Sequence, residues 1–153
     1  MQDSVTVSID ATPERVWALV SDVTLIGRYS PETFEAEWLD GATGPAVGVR
    51  FRGHVKRNEK GPTYWAACVI TECEPNRAFG FTVGATVEKG LNNWRYELTP
   101  NGDGTTDVTE SFRLKQTPAL KVYWALLGWA RGKTNRRGMQ RTLEAMKAEL
   151  EQG

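Results

Sequence analysis

One carboxylate breaks an otherwise regular pattern in the segment from Asn92 to Leu114, which reads NNWRYELTPNGDGTTDVTESFRL. Trp94, Tyr96 and Leu98 share one side of a strand and Arg95, Glu97 and Thr99 the other, as a period of two requires. After the turn Val108, Phe112 and Leu114 again take one side, with Asp107, Thr109, Ser111 and Arg113 opposite, but Glu110 falls on the apolar side. For Trp94 and Val108 to share a face the strands must pair with an even index sum. A three-residue loop Gly102 to Gly104 satisfies this, with Gly104 in the left-handed position. The register then sets Trp94 opposite Phe112, Tyr96 opposite Glu110 and Leu98 opposite Val108. Opposed side chains stand about 5 Å apart at Cβ, which places the Tyr96 phenol within reach of the Glu110 carboxyl.

A carboxylate on an inner face costs several kcal/mol if dry and unpaired, so it is paired, protonated or wet. Three roles are open to it: a satisfied polar group in an ordinary core or one turned outward by a bulge, a ligand contact, or a general acid or base.

Other chemistry finds less support. Arg50, Arg52, His54 and Lys56 alternate along one strand. With nineteen basic against nineteen acidic residues and no net charge, and no aromatic residue interleaved on that side, they read as a solvated outer face rather than a phosphate-binding stripe. Nucleic acid is not an expected partner. His54 is the one histidine, and with two cysteines on opposite faces of a strand it does not assemble a metal site of ordinary ligand count. No G-x-S-x-G elbow and no glycine-rich phosphate loop occurs, so no cofactor is expected. Cys68 and Cys73, five apart in one strand, should point to opposite faces and stay unbridged, which suits a reducing compartment. The N-terminus MQDSVTVSID has no basic region followed by an apolar core, and no apolar run is long enough to span a bilayer. The expected location is cytoplasmic.

At 153 residues the chain reads as a single domain over 1–153, long enough to bury roughly 70% of its unfolded surface. A first strand over Ser4 to Ile9 precedes Thr12-Pro13-Glu14, a helix start with N-cap hydroxyl, first-turn proline and first-turn acid. A second short helix spans Thr24 to Tyr29 and ends at Pro31. Phe34, Ala36 and Trp38 alternate with Glu35 and Glu37. GATGPAVG then breaks the pattern before the strand holding Val49, Phe51, Gly53 and Val55, and further strands cover Tyr64 to Thr71, Ala78 to Val83 and the opening hairpin, seven strands in all. Thr117-Pro118 repeats the helix-start signal, and one long helix runs from Ala119 to Glu151.

These elements describe an α+β protein. A seven-stranded curved antiparallel sheet, apolar on one face, wraps around a long C-terminal helix, with two short helices after strand 1. A curved sheet gripping a helix rarely fills its own interior, which favours an apolar pocket. The helix opens ALKVYWALLGWA and continues RGKTNRRGMQR, an arrangement like an interfacial anchor. It also suits a helix surrounded by sheet, with Gly128 and Gly132 making room for the sheet or a ligand.

The order of elements, with SIDATPERVWALVSD and GRYSPE, WRYELTPNGDGTTDVTESF and TLEAMKAEL, resembles the helix-grip fold of the START and Bet v 1-like (SRPBCC) superfamily, in its polyketide cyclase/dehydrase-like branch. That resemblance implies a cavity for a hydrophobic small molecule or lipid and leaves the chemistry open. The expected function is binding of a lipid-, polyketide- or isoprenoid-type ligand between sheet and helix. Trp94, Tyr96, Glu110, Phe112, Tyr123 and Trp124 are the expected lining. A cofactor-independent polyketide cyclase, aromatase or dehydratase using the same cavity, with Glu110 and Tyr96 moving a proton, is the alternative. A protein-binding module acting through outer surfaces is the third. Stable membrane insertion is not expected, and the oligomeric state is unknown.

Overall fold

The computed structural model describes residues 2–56, 62–84, 92–114 and 136–152. Its elements run β1 (Gln2–Ile9), α1 (Pro13–Val20), a 3-10 helix (Val23–Arg28), β2 (Thr33–Trp38), β3 (Arg50–Lys56), β4 (Thr63–Glu74), β5 (Ala78–Val83), β6 (Asn92–Pro100) and β7 (Thr106–Leu114). A C-terminal helix, α2, is described over residues 136–151. The start of the long helix at Thr117-Pro118, its glycines Gly128 and Gly132, and Tyr123 and Trp124 lie outside the described residues.

The seven strands form one antiparallel sheet in the order β1-β7-β6-β5-β4-β3-β2. Neighbours in sequence are mostly neighbours in space, so short connections suffice; the exception is β1, which pairs with β7 and leaves α1 and the 3-10 helix to bridge to β2 at the far edge. In α1 the Thr12 hydroxyl accepts from the Arg15 amide at 3.3 Å, and Pro13 occupies the first turn. These satisfy or remove backbone donors that a helix start leaves orphaned. Its apolar stripe buries Val16, Leu19 and Val20.

The second short helix is of 3-10 type, opened by Asp22, whose carboxylate accepts from the Thr24 amide at 3.1 Å. At Gly27 a Cβ would stand 2.2 Å from the Phe34 carbonyl oxygen. Only glycine permits the 3-10 helix to lie this close to β2.

Two bulges reverse the alternation expected from sequence. A register shift between Thr33 and Glu35 turns Phe34 off the face of Ala36 and Trp38; it is exposed and its ring lies 4.4 Å from that of His54. A second shift, between Ile70 and Glu72, changes the parity of β4, so Cys68 opposes Val83, Ile70 opposes Phe81 and Cys73 opposes Phe79. Cys73 therefore shares the inner face with Cys68, contrary to the five-residue offset. The thiols are nonetheless free, because five residues of strand separate them by about 16 Å, far beyond disulfide reach. An extra residue in one strand reverses inside and outside for everything beyond it.

The core lies between the inner face of the sheet and the helices. Ile9, Phe51, Ile70, Phe79, Leu98 and Val108 contribute from strands, and Val16 and Val20 from α1. From α2 come Met139, Leu143, Met146 and Leu150, at spacings of four, three and four that form one helical stripe. Polar contacts hold α2 across β1 and the short helices: Arg136 forks onto Asp3 at 2.6 and 3.0 Å, the Lys147 ammonium donates to the Ser8 carbonyl at 3.1 Å, and Arg15 donates to the Leu150 carbonyl at 2.6 Å. Among the described residues no helix is long and apolar enough to cross a membrane.

Candidate functional site

The β6–β7 hairpin has the register expected from its sequence. Trp94 opposes Phe112, Tyr96 opposes Glu110 and Leu98 opposes Val108. The Asn101 amide donates to the Thr105 carbonyl at 3.1 Å, which leaves Gly102 to Gly104 as the loop, with Gly104 at φ 91. Neither β1–β7 nor β6–β7 carries a register shift, so no bulge turns Glu110 outward. It faces the interior, flanked by Val5 of β1 and Tyr96 of β6, and is only 4% exposed.

Phe112 and Tyr96 are buried as well, while Trp94 is half-buried with its ring 4.8 Å from that of Phe112. The described members of the expected set thus fall on one face of one hairpin. A further buried side chain lies in the same core as Tyr96: Tyr29, which caps the 3-10 helix and is 3% exposed. Sequence periodicity does not single it out. Its neighbours Arg28 and Ser30 carry no periodic signal, and the one clue was a tyrosine in the last turn of a short helix that must close the sheet.

Glu110 differs from the other buried polar residues in its bonding. Ser21 donates to the Trp17 carbonyl at 2.7 Å, Thr106 to the Ala11 carbonyl at 2.7 Å and Thr142 to the Gly138 carbonyl at 2.9 Å; the Thr82 hydroxyl has Asn93 Oδ1 at 3.4 Å. Glu110 Oε2 has no partner, a state shared among the described residues only with Arg50 Nε. Buried polar atoms are hydrogen-bonded in the large majority of cases, so each orphan calls for an explanation.

The electrostatics of the group follow from its burial. Desolvation pushes the Glu110 carboxyl up to about 8, against the smaller opposing effect of hydrogen bonding from Tyr96. Burial, then the proximity of Glu110 and Asp22, raises the Tyr29 phenol above its ordinary range. Burial, then Glu110 and Tyr29, does the same to Tyr96. All three groups are therefore predominantly neutral at neutral pH, and together present O–H donors inside an apolar shell. No described cation contributes to the state of Glu110.

The outer face of β3 departs from the sequence reading in one respect. Trp65 of β4 stacks on His54 with centroids 4.2 Å apart, and the Arg52 guanidinium lies 4.2 Å over the Trp65 ring. Aromatic side chains therefore do interleave there, supplied by the neighbouring strands, Trp65 of β4 and Phe34 of β2, rather than by β3. Three of the four residues of the stripe lie against acids: Arg50 pairs with Asp40 at 3.1 Å, Arg52 with Glu37, and His54 Nδ1 lies 2.8 Å from Glu35. Among the described residues no group of three or more His, Cys, Asp or Glu side chains could hold a metal ion.

A curved antiparallel sheet closed by a C-terminal helix, with short helices after the first strand, is the helix-grip architecture of START-like proteins. The chain belongs to the family described as polyketide cyclase / dehydrase and lipid transport, whose model matches residues 3–151. It is similar to a polyketide-cyclase-like protein of Corynebacterium glutamicum, at 29% identity over 98% of this chain and 91% of that one, with a TM-score of 0.62. A START superfamily protein from Mycobacterium smegmatis shares the fold at 18% identity and a TM-score of 0.72, over 99% and 97% of the two chains. The di-domain ARO/CYC protein BexL of the BE-7585A biosynthetic pathway also shares it, at 16% identity and a TM-score of 0.72, over 99% of this chain and 46% of that one. No functionally curated protein matches the chain.

Proposed function

We propose that this protein binds a hydrophobic small molecule of lipid, polyketide or isoprenoid type between the inner face of the sheet and the C-terminal helix, with Trp94, Tyr96, Glu110 and Phe112 in its lining. The observation that carries the reading is the unpartnered Oε2 of buried Glu110, on a face whose other buried side chains on β7 are apolar or, like Thr106, hydrogen-bonded. A fold with no use for that carboxyl would gain by replacing it with leucine. A ligand that supplies the missing partner accounts for it. Family membership supports the same reading, since the family's description includes lipid transport.

Native mass spectrometry of the purified protein, followed by extraction and identification of what copurifies, tests it directly. Titration of the emptied protein with a neutral apolar dye provides the second test. Tryptophan fluorescence should change on binding, and Trp94→Ala should weaken affinity; unchanged fluorescence together with unaltered affinity in the variant would remove the proposed lining.

An enzymatic role in the same place is favoured by one specific feature, the rise of the Glu110 carboxyl to about 8. A carboxylic acid that holds its proton near neutrality serves as a general acid. In that case Glu110→Gln leaves binding intact while a cyclisation or dehydration rate falls roughly 100-fold.

A further inference from the structure

We propose that Tyr29, Tyr96 and Glu110 form the polar anchor of the ligand site, and that this anchor selects a neutral oxygen function, a hydroxyl or ketone on a hydrophobic skeleton, over a carboxylate or an ammonium group. The inference rests on the binding reading above and specifies its ligand.

Three different elements contribute the group, with Tyr29 and Tyr96 in one buried core and Tyr96 directly opposite Glu110. Tyr29 ends the 3-10 helix, Tyr96 lies on β6 and Glu110 opposes it on β7. The 3-10 helix approaches β2 closely because Gly27 lacks a Cβ, and Tyr29 follows two residues later. All three side chains are buried, and one carboxyl oxygen has no partner.

Hydrogen-bond inventory narrows the ligand. Two phenols and a protonated carboxyl offer three O–H donors, and the phenol and carboxyl oxygens also accept. A ketone takes two donors; a hydroxyl takes donors and returns its own proton to the orphaned oxygen. A carboxylate ligand would bring a full negative charge into the apolar surroundings that keep Glu110 protonated, and no described cation acts on the group to compensate. Asp22, whose charge reaches Tyr29, is a further acid. An ammonium ligand would require Glu110 to ionise in the apolar shell that keeps it neutral.

The test uses four probes of one shape: naphthalene, naphthol, naphthoate and naphthylmethylammonium, each displacing Nile red from the full-length protein at neutral pH. In the wild type naphthol should displace the dye at about tenfold lower concentration than naphthalene, with naphthoate and the ammonium probe weaker than naphthol, since a site built to hydrogen-bond a hydroxyl discriminates against analogues that lack or replace it. Glu110→Leu should bring naphthol and naphthalene to equal affinity while naphthalene binding persists. Tyr96→Phe and Tyr29→Phe, which keep the rings, should each reduce the preference and carry the test if the leucine variant does not fold. Equal binding of naphthol and naphthalene by the wild type, tighter binding of either charged probe, or a preference that survives these substitutions would overturn the assignment while leaving the cavity intact. Failure of Nile red and every probe to bind would defeat the cavity itself, and the anchor with it.

Discussion

Glu110→Gln should change how stability depends on pH. The wild-type carboxyl rises from an ordinary value of 4.5 to about 8 on folding, because burial penalises its charged form. The folded state therefore keeps a proton that the unfolded chain releases. The stability contributed by the neutral acid is fully present below 4.5 and is lost as pH rises through about 8. At roughly 1.4 kcal/mol per pH unit, the full loss is on the order of 5 kcal/mol, about 3 of them already gone at neutral pH. That is a large share of the 5–15 kcal/mol typical of a domain. Glutamine has the same shape and does not titrate. Its own cost of roughly 1 to 3 kcal/mol for an imperfectly bonded amide is independent of pH. Urea denaturation of ligand-free protein, followed by tryptophan fluorescence from about pH 5 to about pH 8.5, should show wild-type stability falling while the variant stays nearly level by comparison. Tyr29 and Tyr96 titrate above this window because burial raises both phenols. The lowered carboxyls of Asp3 and Glu72, each hydrogen-bonded to an arginine, titrate below it. Parallel curves for wild type and variant would mean that Glu110 ionises as it does in water, and the dry inner face would be refuted.

Gly27→Ala should destabilise the protein by roughly 2 to 4 kcal/mol, since its Cβ would meet the backbone oxygen of Phe34 at 2.2 Å and backbone cannot swing aside as a side chain does; thermal denaturation showing less than about 1 kcal/mol of change would contradict the close approach. Thiol labelling of the native protein should reach Cys73 well before Cys68, which is buried and whose thiol burial pushes up to about 12; equal rates, read by mass spectrometry of peptides, would place Cys68 at the surface. Binding to anionic vesicles at physiological salt should be negligible, with Arg136 already held by Asp3; strong salt-sensitive cosedimentation would favour a membrane-facing helix.

The sequence alone determined the hairpin and what it presents. Alternation over Trp94 to Leu98 and Val108 to Phe112, with glycines at the turn, left one register that kept both apolar rows on one side, and that register is the one observed. The α1 start was equally local, because cap hydroxyl, proline and acid all act within one turn. Glu110 was identifiable for the same reason: a period-two pattern makes a misplaced carboxylate visible. Tertiary structure decided what depends on neighbours distant in sequence. Phe34 and Cys73 changed faces because bulges arise from how adjacent strands pair, which no strand records by itself. Trp65 reached His54 across a ladder between β3 and β4. Tyr29 entered the same buried core as Tyr96 with the 3-10 helix, which Gly27 lets settle against β2, so Glu110 acts electrostatically on a phenol some eighty residues away in the chain. Local periodicity assigns a side chain to a face, but which side chains from other elements meet it there is set by how the elements pack.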